Sequence, residues 1–196
     1  PAEAMGSRDL WIPGEPLPAN RVGSLAHVIL SRWDFQKAGD LPALVNRALE
    51  DIVLPAGEKA ALRSRLTGML EGFAQSPCAA GLRQAASVLR EIPFLLPWRE
   101  TCVEGTIDCL YQNAAGAWTI LDYKTDRVDG EALKSRAEEH MEQLKFYGAA
   151  CLKILNIPEI RLELYFLSAH KTHEQQFTAQ NAEEFLQNRW QALISR

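Results

Sequence analysis

The sequence has few cysteines and no pair of them spaced for metal binding. Its 196 residues include four cysteines, none in a C-x-x-C arrangement: Cys78, Cys102, Cys109 and Cys151. Structural zinc and iron–sulfur sites usually show such pairs, so thiols of the hydrophobic core are the favoured interpretation. The absence of a disulfide framework also favours a reducing compartment, and we expect a cytoplasmic protein.

Long apolar segments and an excess of basic charge are also missing. The apolar runs fall far short of the ~20 residues that a membrane-spanning helix needs, and no signal peptide is recognisable, so no membrane partner is expected. The net charge of −4 lacks the basic footprint of a domain that captures nucleic acid tightly by itself. The 47% hydrophobic and 23% charged composition is that of a globular chain of one domain, with an extension as a further option. Because the first residue is Pro, we expect a processed chain or an excised fragment.

Hydrophobic periodicity divides the chain into four parts. Residues 1–19, with four prolines, predict an irregular arm or linker stub. Residues 20–196 are interpreted as one domain: a helical extension (20–75), a core (76–168), and a C-terminal strand and helix (169–196).

The order of the predicted elements indicates an α/β fold. Four helices are expected at about 20–33, 40–54, 57–73 and 76–90. Residues 91–99, with two prolines, suit an edge or irregular strand, and two β-rich segments flank a Gly-containing NAAG turn, which predicts a hairpin of residues 103–111 and 117–124. A helix (131–155), a strand (161–168) and a last helix from about 181 follow. Helix, three strands, helix and strand predict a mixed sheet after a helical extension.

Charged residues interrupt the predicted hairpin. Asp122 and Lys124 point to one face of their strand, because side chains alternate faces. Asp108 lies on the partner strand, and a suitable register would bring it beside Asp122. Two close carboxylates repel, and a shared proton or a divalent cation such as Mg²⁺ or Mn²⁺ relieves the repulsion. Two acids and a lysine suit metal-assisted phosphodiester hydrolysis. The alternative is a surface hairpin with a weak ion pair.

Several segments together resemble the PD-(D/E)XK nuclease superfamily, and more closely the nuclease domain of RecB/AddA-type helicase–nucleases (exonuclease V). The resemblance rests on RVGSLAHVIL, EIPF, GTIDCLY, ILDYKTD and EQLKFY, which stand in the family's order and cover most of residues 20–168. It implies a restriction-endonuclease-like core of helix, three strands, helix and strand.

The resemblance also implies the roles of five residues. Asp108 and Asp122 match the family's metal-binding acids, and Lys124 matches its catalytic lysine. His27 matches a histidine that reaches the same metal from the helical extension. By its own pattern His27 would be a solvent-facing histidine beside an apolar stripe. The backbone carbonyl of Tyr123 is expected to complete the metal shell.

Gln143 and Tyr147 match the family's Q-x-x-x-Y signature and lie four residues apart on one helix face. The resemblance implies that Gln143 supports the acid–lysine cluster and that Tyr147 lies near the DNA backbone, so both are candidate catalytic residues. Their face differs from the apolar stripe of the helix, so burial in the main core is not expected for them, and the alternative to a functional role is an ordinary pair on the flank of the helix. That stripe includes Met141, Leu144 and Gly148.

The pattern does not assign a single role to four further polar residues. Glu91, in EIPF, either contacts the site or caps the sheet edge. His140 stands where the family more commonly has tyrosine, which affects the expected strand contacts. For His170 and His173, beyond the last core strand, a solvated loop position is the plain alternative to a functional one.

The function that the resemblance implies is metal-dependent exonucleolytic cleavage of DNA, in double-strand-break repair and recombination. Mg²⁺ is the expected cofactor, with Mn²⁺ as a substitute, and no iron–sulfur cluster is expected because no cysteine follows Cys151. Since no G-x-x-x-x-G-K-[ST] motif is present, the helicase motor is absent from these residues.

The partners that the resemblance implies are single-stranded DNA and the helicase domains of the same polypeptide. Another helicase–nuclease chain is a further candidate, as a second subunit. The alternatives are a stand-alone nuclease of the superfamily and a nuclease-dead module that binds DNA ends or acts as a scaffold. The intact Asp108, Asp122 and Lys124 argue against the inactive module.

Overall fold

The computed structural model of the chain describes residues 19–35, 37–126 and 129–195, so almost all of the predicted arm lies outside the described residues. Six α-helices, one short 3-10 helix (Ala38–Asp40) and five strands occupy the described part. The helices are α1 (Ala19–Arg32), α2 (Leu41–Ala48), α3 (Ala56–Ala74), α4 (Pro77–Arg83), α5 (Gly130–Leu155) and α6 (Ala179–Ile194). The strands are β1 (Ser87–Trp98), β2 (Thr101–Gln112), β3 (Trp118–Lys124), β4 (Glu159–Phe166) and β5 (Lys171–Thr178). None of the described helices is long and apolar enough to cross a membrane.

The five strands form one mixed sheet in the order β1-β2-β3-β4-β5. The β3–β4 pair is parallel and the other pairs are antiparallel. Helix α5 connects the two parallel strands, which need a long crossover. The predicted α/β fold, with a mixed sheet and a helical part before it, is therefore confirmed.

Two hydrophobic clusters cover opposite faces of the sheet. The extension cluster joins α1–α4 to strand residues that include Leu121 and Tyr123. The α5 cluster joins α5 and α6 to strand residues that include Ile120 and Leu164. Because neighbouring residues of β3 alternate between the two faces, Asp122 points to the side of the α5 cluster.

Strands β1 and β2 each have residues in both clusters. In both strands the change from the extension cluster to the α5 cluster occurs at the same level of the sheet. In β1, Val88 packs against the extension cluster and Phe94 belongs to the α5 cluster. In β2, Cys109 belongs to the extension cluster and Ile107 to the α5 cluster. Between the two regions of β1 lies Glu91, whose φ of 51° is in the left-handed region and breaks the regular strand.

Two predicted helices are shorter than their sequence patterns indicate. The helix predicted at 76–90 ends at Arg83, and β1 begins at Ser87, because Ser87 to Arg90 pair with β2. Pairing with a neighbouring strand overrides the local helical pattern. The helix predicted at 40–54 ends at Ala48. Pro55 then disfavours helical geometry in the residue that precedes it.

The edge position of β1 agrees with the sequence, whereas the environments of the four cysteines agree with it only partly. β1 lies at an edge of the sheet, as its two prolines predict. Cys78, Cys109 and Cys151 are buried thiols, as expected of core cysteines, and burial raises the pKa of each to about 12. Cys102 is exposed, and the core interpretation is wrong for it, because it pairs with Pro97 near the tip of the β1–β2 hairpin.

Two histidines beyond β4 have different environments. His173 lies on β5, where it pairs with Leu164, so it is a strand residue and not a loop residue. His170 is exposed in the turn before β5. Its φ is 52°.

Replacement of a helical glycine by alanine should have opposite effects on stability at two positions. A Cβ at Gly148 of α5 would lie 2.9 Å from Phe177 and 3.0 Å from Leu162, both buried, whereas a Cβ at Gly68 of α3 would meet no atom within 4 Å. We expect Gly68→Ala to stabilise the protein by about 0.5–1 kcal/mol through helix propensity. Gly148→Ala should destabilise it, because overpacking a core typically costs ~1–3 kcal/mol. Denaturant melts measure both, and equal stabilisation by the two variants would contradict the packing described for α5.

Candidate active site

Three acidic residues lie level with one another on three neighbouring strands. The pairing of β2 with β3 ends at Cys109 and Leu121, and one step further along the register places Asp108 opposite Asp122. In β1, Arg90 pairs with Cys109 and Ile92 pairs with Ile107, so Glu91 and Asp108 fall between these pairs. The register therefore brings together the two acids that the sequence singled out, and adds Glu91.

The carboxylate of Asp108 takes the place of a backbone hydrogen-bond acceptor where the pairing of β2 with β3 has ended. Its Oδ2 accepts a hydrogen bond from the backbone N–H of Tyr123 at 2.9 Å, just beyond the last paired residues of β2 and β3. Its Oδ1 lies 3.3 Å from Nδ1 of His27. The carboxylate is thus fixed by β3 on one side and by α1 on the other.

His27 reaches the sheet from α1 and lies between two oxygen atoms. Its Nδ1 contacts Asp108, and its Nε2 lies 3.0 Å from the backbone carbonyl oxygen of Tyr123. A neutral imidazole has one N–H and can donate to only one of these acceptors. Positive charge, as a second proton on the ring or as a cation, would satisfy both oxygens. Burial acts to lower the pKa of His27, but the contact and charge of Asp108 and the charge of Asp122 oppose it, and the pKa is raised.

Asp122 is the most deeply buried of the three acids. It is 5% exposed, and burial together with the charge of Asp108 raises its pKa to about 6. Its Oδ2 lies 2.7 Å from Nζ of Lys124. Burial acts to lower the pKa of Lys124, but the charge and contact of Asp122 raise it, so the lysine stays charged.

Glu91 is the acid whose contribution the sequence left open between a site contact and a sheet-edge cap. One carboxylate oxygen of Glu91, a ring nitrogen of His27 and an oxygen of Asp108 all lie within 4.8 Å of one another. Burial and the charge of Asp108 raise the pKa of Glu91. The geometry supports the site contact.

Gln143 and Tyr147 lie on α5 beside the acid–lysine pair. The Gln143 amide donates a hydrogen bond to the Tyr147 hydroxyl at 2.7 Å. Tyr147 is 8% exposed, and its ring packs edge-on against Phe94 at 5.1 Å. The expectation that Tyr147 lies away from the main core is therefore wrong. The apolar face of α5 is wide enough to include it, and only its hydroxyl is turned toward polar neighbours.

A second polar cluster adjoins the site and was not foreseen from the sequence. Asp126 lies two residues beyond Lys124, and its carboxylate contacts His140 at 3.3 Å and Arg136 at 3.7 Å, both on α5. The four-residue spacing of Arg136 and His140, which places them on one helix face, was the available signal.

A family model described as the PD-(D/E)XK nuclease superfamily matches residues 3–196. The chain belongs to this superfamily. The predicted resemblance is thereby confirmed over nearly the whole sequence.

Curated relatives carry a name that describes one component of an ATP-dependent helicase/nuclease. The protein of Heliobacterium modesticaldum is 29% identical over 174 residues, which are 78% of this chain and 12% of that protein. The protein of Carboxydothermus hydrogenoformans is 30% identical over 166 residues, which are 76% of this chain and 14% of that protein. These relatives agree with the predicted RecB/AddA-type resemblance, and the chain spans 12–14% of their length.

One solved structure, the crystal structure of SSO0001, is 13% identical and covers 89% of this chain and 75% of that chain. Its TM-score is 0.38, and a likeness at that level carries no conclusion about the nuclease.

The raised pKa of Asp122 gives a prediction for stability against pH. An aspartate of the unfolded chain loses its proton near pH 4, whereas Asp122 in the fold holds its proton up to about pH 6. The folded state binds more protons in that window, so the metal-free protein should lose stability as the pH rises through it. Asp122→Asn should remove this loss. Melting temperatures in EDTA from pH 4 to 7 should therefore fall for the wild type relative to the variant, and a difference independent of pH would contradict the burial of this charge.

Proposed function

We propose that this nuclease-superfamily chain is a metal-dependent deoxyribonuclease and that the acids of β1, β2 and β3 form its active site. The observation that carries the proposal is the convergence of His27, Glu91 and Asp108 within 4.8 Å, with the buried pair of Asp122 and Lys124 at the same level of the sheet. The proposal treats residues 20–196 as one nuclease domain, because a single sheet joins both hydrophobic clusters.

The residues of the site fit a divalent cation. Asp108, Asp122, His27 and the carbonyl oxygen of Tyr123 would hold it, and Glu91 is close enough to add an oxygen. Two observations support the fit: a carboxylate oxygen of Glu91, one of Asp108 and a ring nitrogen of His27 lie within 4.8 Å of one another, and the ring of His27 lies between two acceptors. Carboxylate and carbonyl oxygens suit Mg²⁺, and an imidazole ligand favours Mn²⁺ as a substitute. When bound, the cation supplies Lewis-acid polarisation of the phosphoryl group and of the attacking water.

Besides the cation, the side chain of Lys124 supplies positive charge at the site. In the proposed reaction the oxygen of water forms a bond to phosphorus, and the bond from phosphorus to the leaving nucleotide oxygen breaks. Negative charge grows on the phosphoryl oxygens, and a fixed ammonium stabilises it more than water can. Asp122 holds that ammonium at 2.7 Å and keeps it protonated.

Gln143 and Tyr147 assist at the α5 side of the site in this proposal. Burial and the charge of Asp122 raise the pKa of the Tyr147 hydroxyl, which therefore keeps its proton. A protonated hydroxyl that already accepts a bond from Gln143 is free to donate to a phosphate oxygen. In this proposal the pair lies between the acid–lysine cluster and the DNA backbone.

The substrate and partners are inferred from charge and from the relatives. A net charge of −4 suits a domain that receives DNA from a neighbour better than one that captures it alone. The relatives' name joins helicase and nuclease. We therefore propose exonucleolytic cleavage of single-stranded DNA delivered by helicase domains of a longer polypeptide, in double-strand-break repair and recombination. A further proposed partner is a second helicase–nuclease subunit. The free state of all four cysteines supports a cytoplasmic location.

Cleavage of end-labelled DNA tests the proposal. The wild type should degrade DNA with Mg²⁺ or Mn²⁺ and not with EDTA, and it should favour single strands. Asp122→Asn and Lys124→Ala should each reduce the rate by roughly a hundredfold or more, because each removes a charge that acts on the transition state. The matched controls, Glu138→Gln and Lys153→Ala at exposed positions of α5, should cleave at the wild-type rate.

Circular dichroism must show that each variant is folded. A folded Asp122→Asn or Lys124→Ala variant that cleaves at the wild-type rate would contradict the assignment of the site. A wild type that binds DNA ends and fails to cleave with either metal would favour the inactive binding or scaffolding module.

A further inference from the structure

The last residues of β3 pair with a neighbouring strand on one side only. Lys124 is the last residue of β3 and pairs with Phe166 of β4. On the opposite side, the pairing with β2 has already stopped at Leu121. Asp122 of the same strand holds the ammonium directly, and contacts from outside β3 fix the backbone that carries the lysine.

Two of these contacts come from the turn after β4. The backbone N–H of Leu167 donates to the carbonyl oxygen of Lys124 at 2.7 Å. The hydroxyl of Ser168 donates to the carbonyl oxygen of Thr125 at 3.0 Å. Both act on the backbone and hold it against β4.

The third contact comes from α5 and acts on a side chain. Nε2 of His140 lies 3.3 Å from Oδ2 of Asp126, two residues beyond Lys124, and Arg136 approaches the other oxygen at 3.7 Å. His140 and Asp126 have side chains only 22% and 23% exposed. The ring of His140 also lies 6.2 Å from that of Phe166, the strand partner of Lys124.

We propose that His140 is a positioning residue for Lys124, acting through Asp126. The inference rests on the proposed function. The contact ties the end of β3 to the helix that carries Gln143 and Tyr147, so these groups and the lysine keep one geometry. A half-buried contact of this kind is more than a surface ion pair, because both partners are already ordered by packing. Burial, and then the charge of Lys124, lower the pKa of His140, which agrees with a neutral ring that donates through Nε2–H.

The predicted consequence is a loss in turnover with little loss in DNA binding. A misplacement of about 1 Å at a reacting group can reduce the rate roughly a hundredfold. We expect His140→Ala to lower kcat by about ten- to a hundredfold and to change KM for single-stranded DNA by less than about threefold. His140→Gln keeps an N–H donor and should recover most of kcat. Glu138→Ala, an exposed position of the same helix, is the control and should match the wild type.

A double-mutant cycle tests whether the two residues act together. If His140 acts through Asp126, the variant with both His140→Ala and Asp126→Ala should lose no more kcat than the single variants. Mn²⁺ binding without DNA should be unchanged in His140→Ala, since His140 contacts none of the proposed ligands, and this binding also shows that the variant is folded.

Three outcomes would overturn the inference: unchanged kcat in His140→Ala, equal losses in the Ala and Gln variants, or additive losses in the cycle. Each requires an active wild type in the same assay. An inactive wild type would instead contradict the proposed function, so the two failures are distinguishable.

Discussion

The negative charge of three carboxylates, held level across three strands, is the constraint on which the rest of the site depends. Glu91, Asp108 and Asp122 repel one another, and positive charge beside them offsets this repulsion. Lys124 supplies one charge from within β3, through its ion pair with Asp122 at 2.7 Å. His27 of α1 contacts an oxygen of Asp108 and the backbone carbonyl oxygen of Tyr123. The helical extension therefore contributes a residue to the site. Its packing against the sheet in the extension cluster holds His27 in position.

The position of the acids follows from the way the sheet joins two hydrophobic clusters. Glu91 and Asp108 lie where β1 and β2 pass from the extension cluster to the α5 cluster. Polar side chains at that level cost less than they would in the middle of either cluster. The loss of β2–β3 pairing beyond Cys109 then frees the Tyr123 backbone groups, which Asp108 and His27 contact.

Much of this arrangement could be predicted from the sequence, because strand alternation alone places Asp122 and Lys124 on one face and turn chemistry identifies the hairpin that carries Asp108. Prediction of the convergence of Asp108 with Asp122 requires the register of the β2–β3 pairing, which the sequence did not specify. The start of β1 at Ser87 was missed because pairing with β2 overrides a helical pattern. The burial of Tyr147 was missed because helical periodicity gives the direction of a face and not its width. The approach of Glu91 to His27 depends on a backbone φ of 51°, which no periodicity indicates for a glutamate.

The proposed reaction depends on a divalent cation at this site, and a titration with Mn²⁺ in the absence of DNA measures its binding. In a titration followed by the electron paramagnetic resonance signal of free Mn²⁺, the wild type should remove Mn²⁺ from solution. Asp108→Asn should lose most of this binding, His27→Ala should weaken it, and Glu138→Gln should leave it unchanged. Mn²⁺ binding by a folded Asp108→Asn variant as tight as that of the wild type, or no binding by the wild type, would contradict the account.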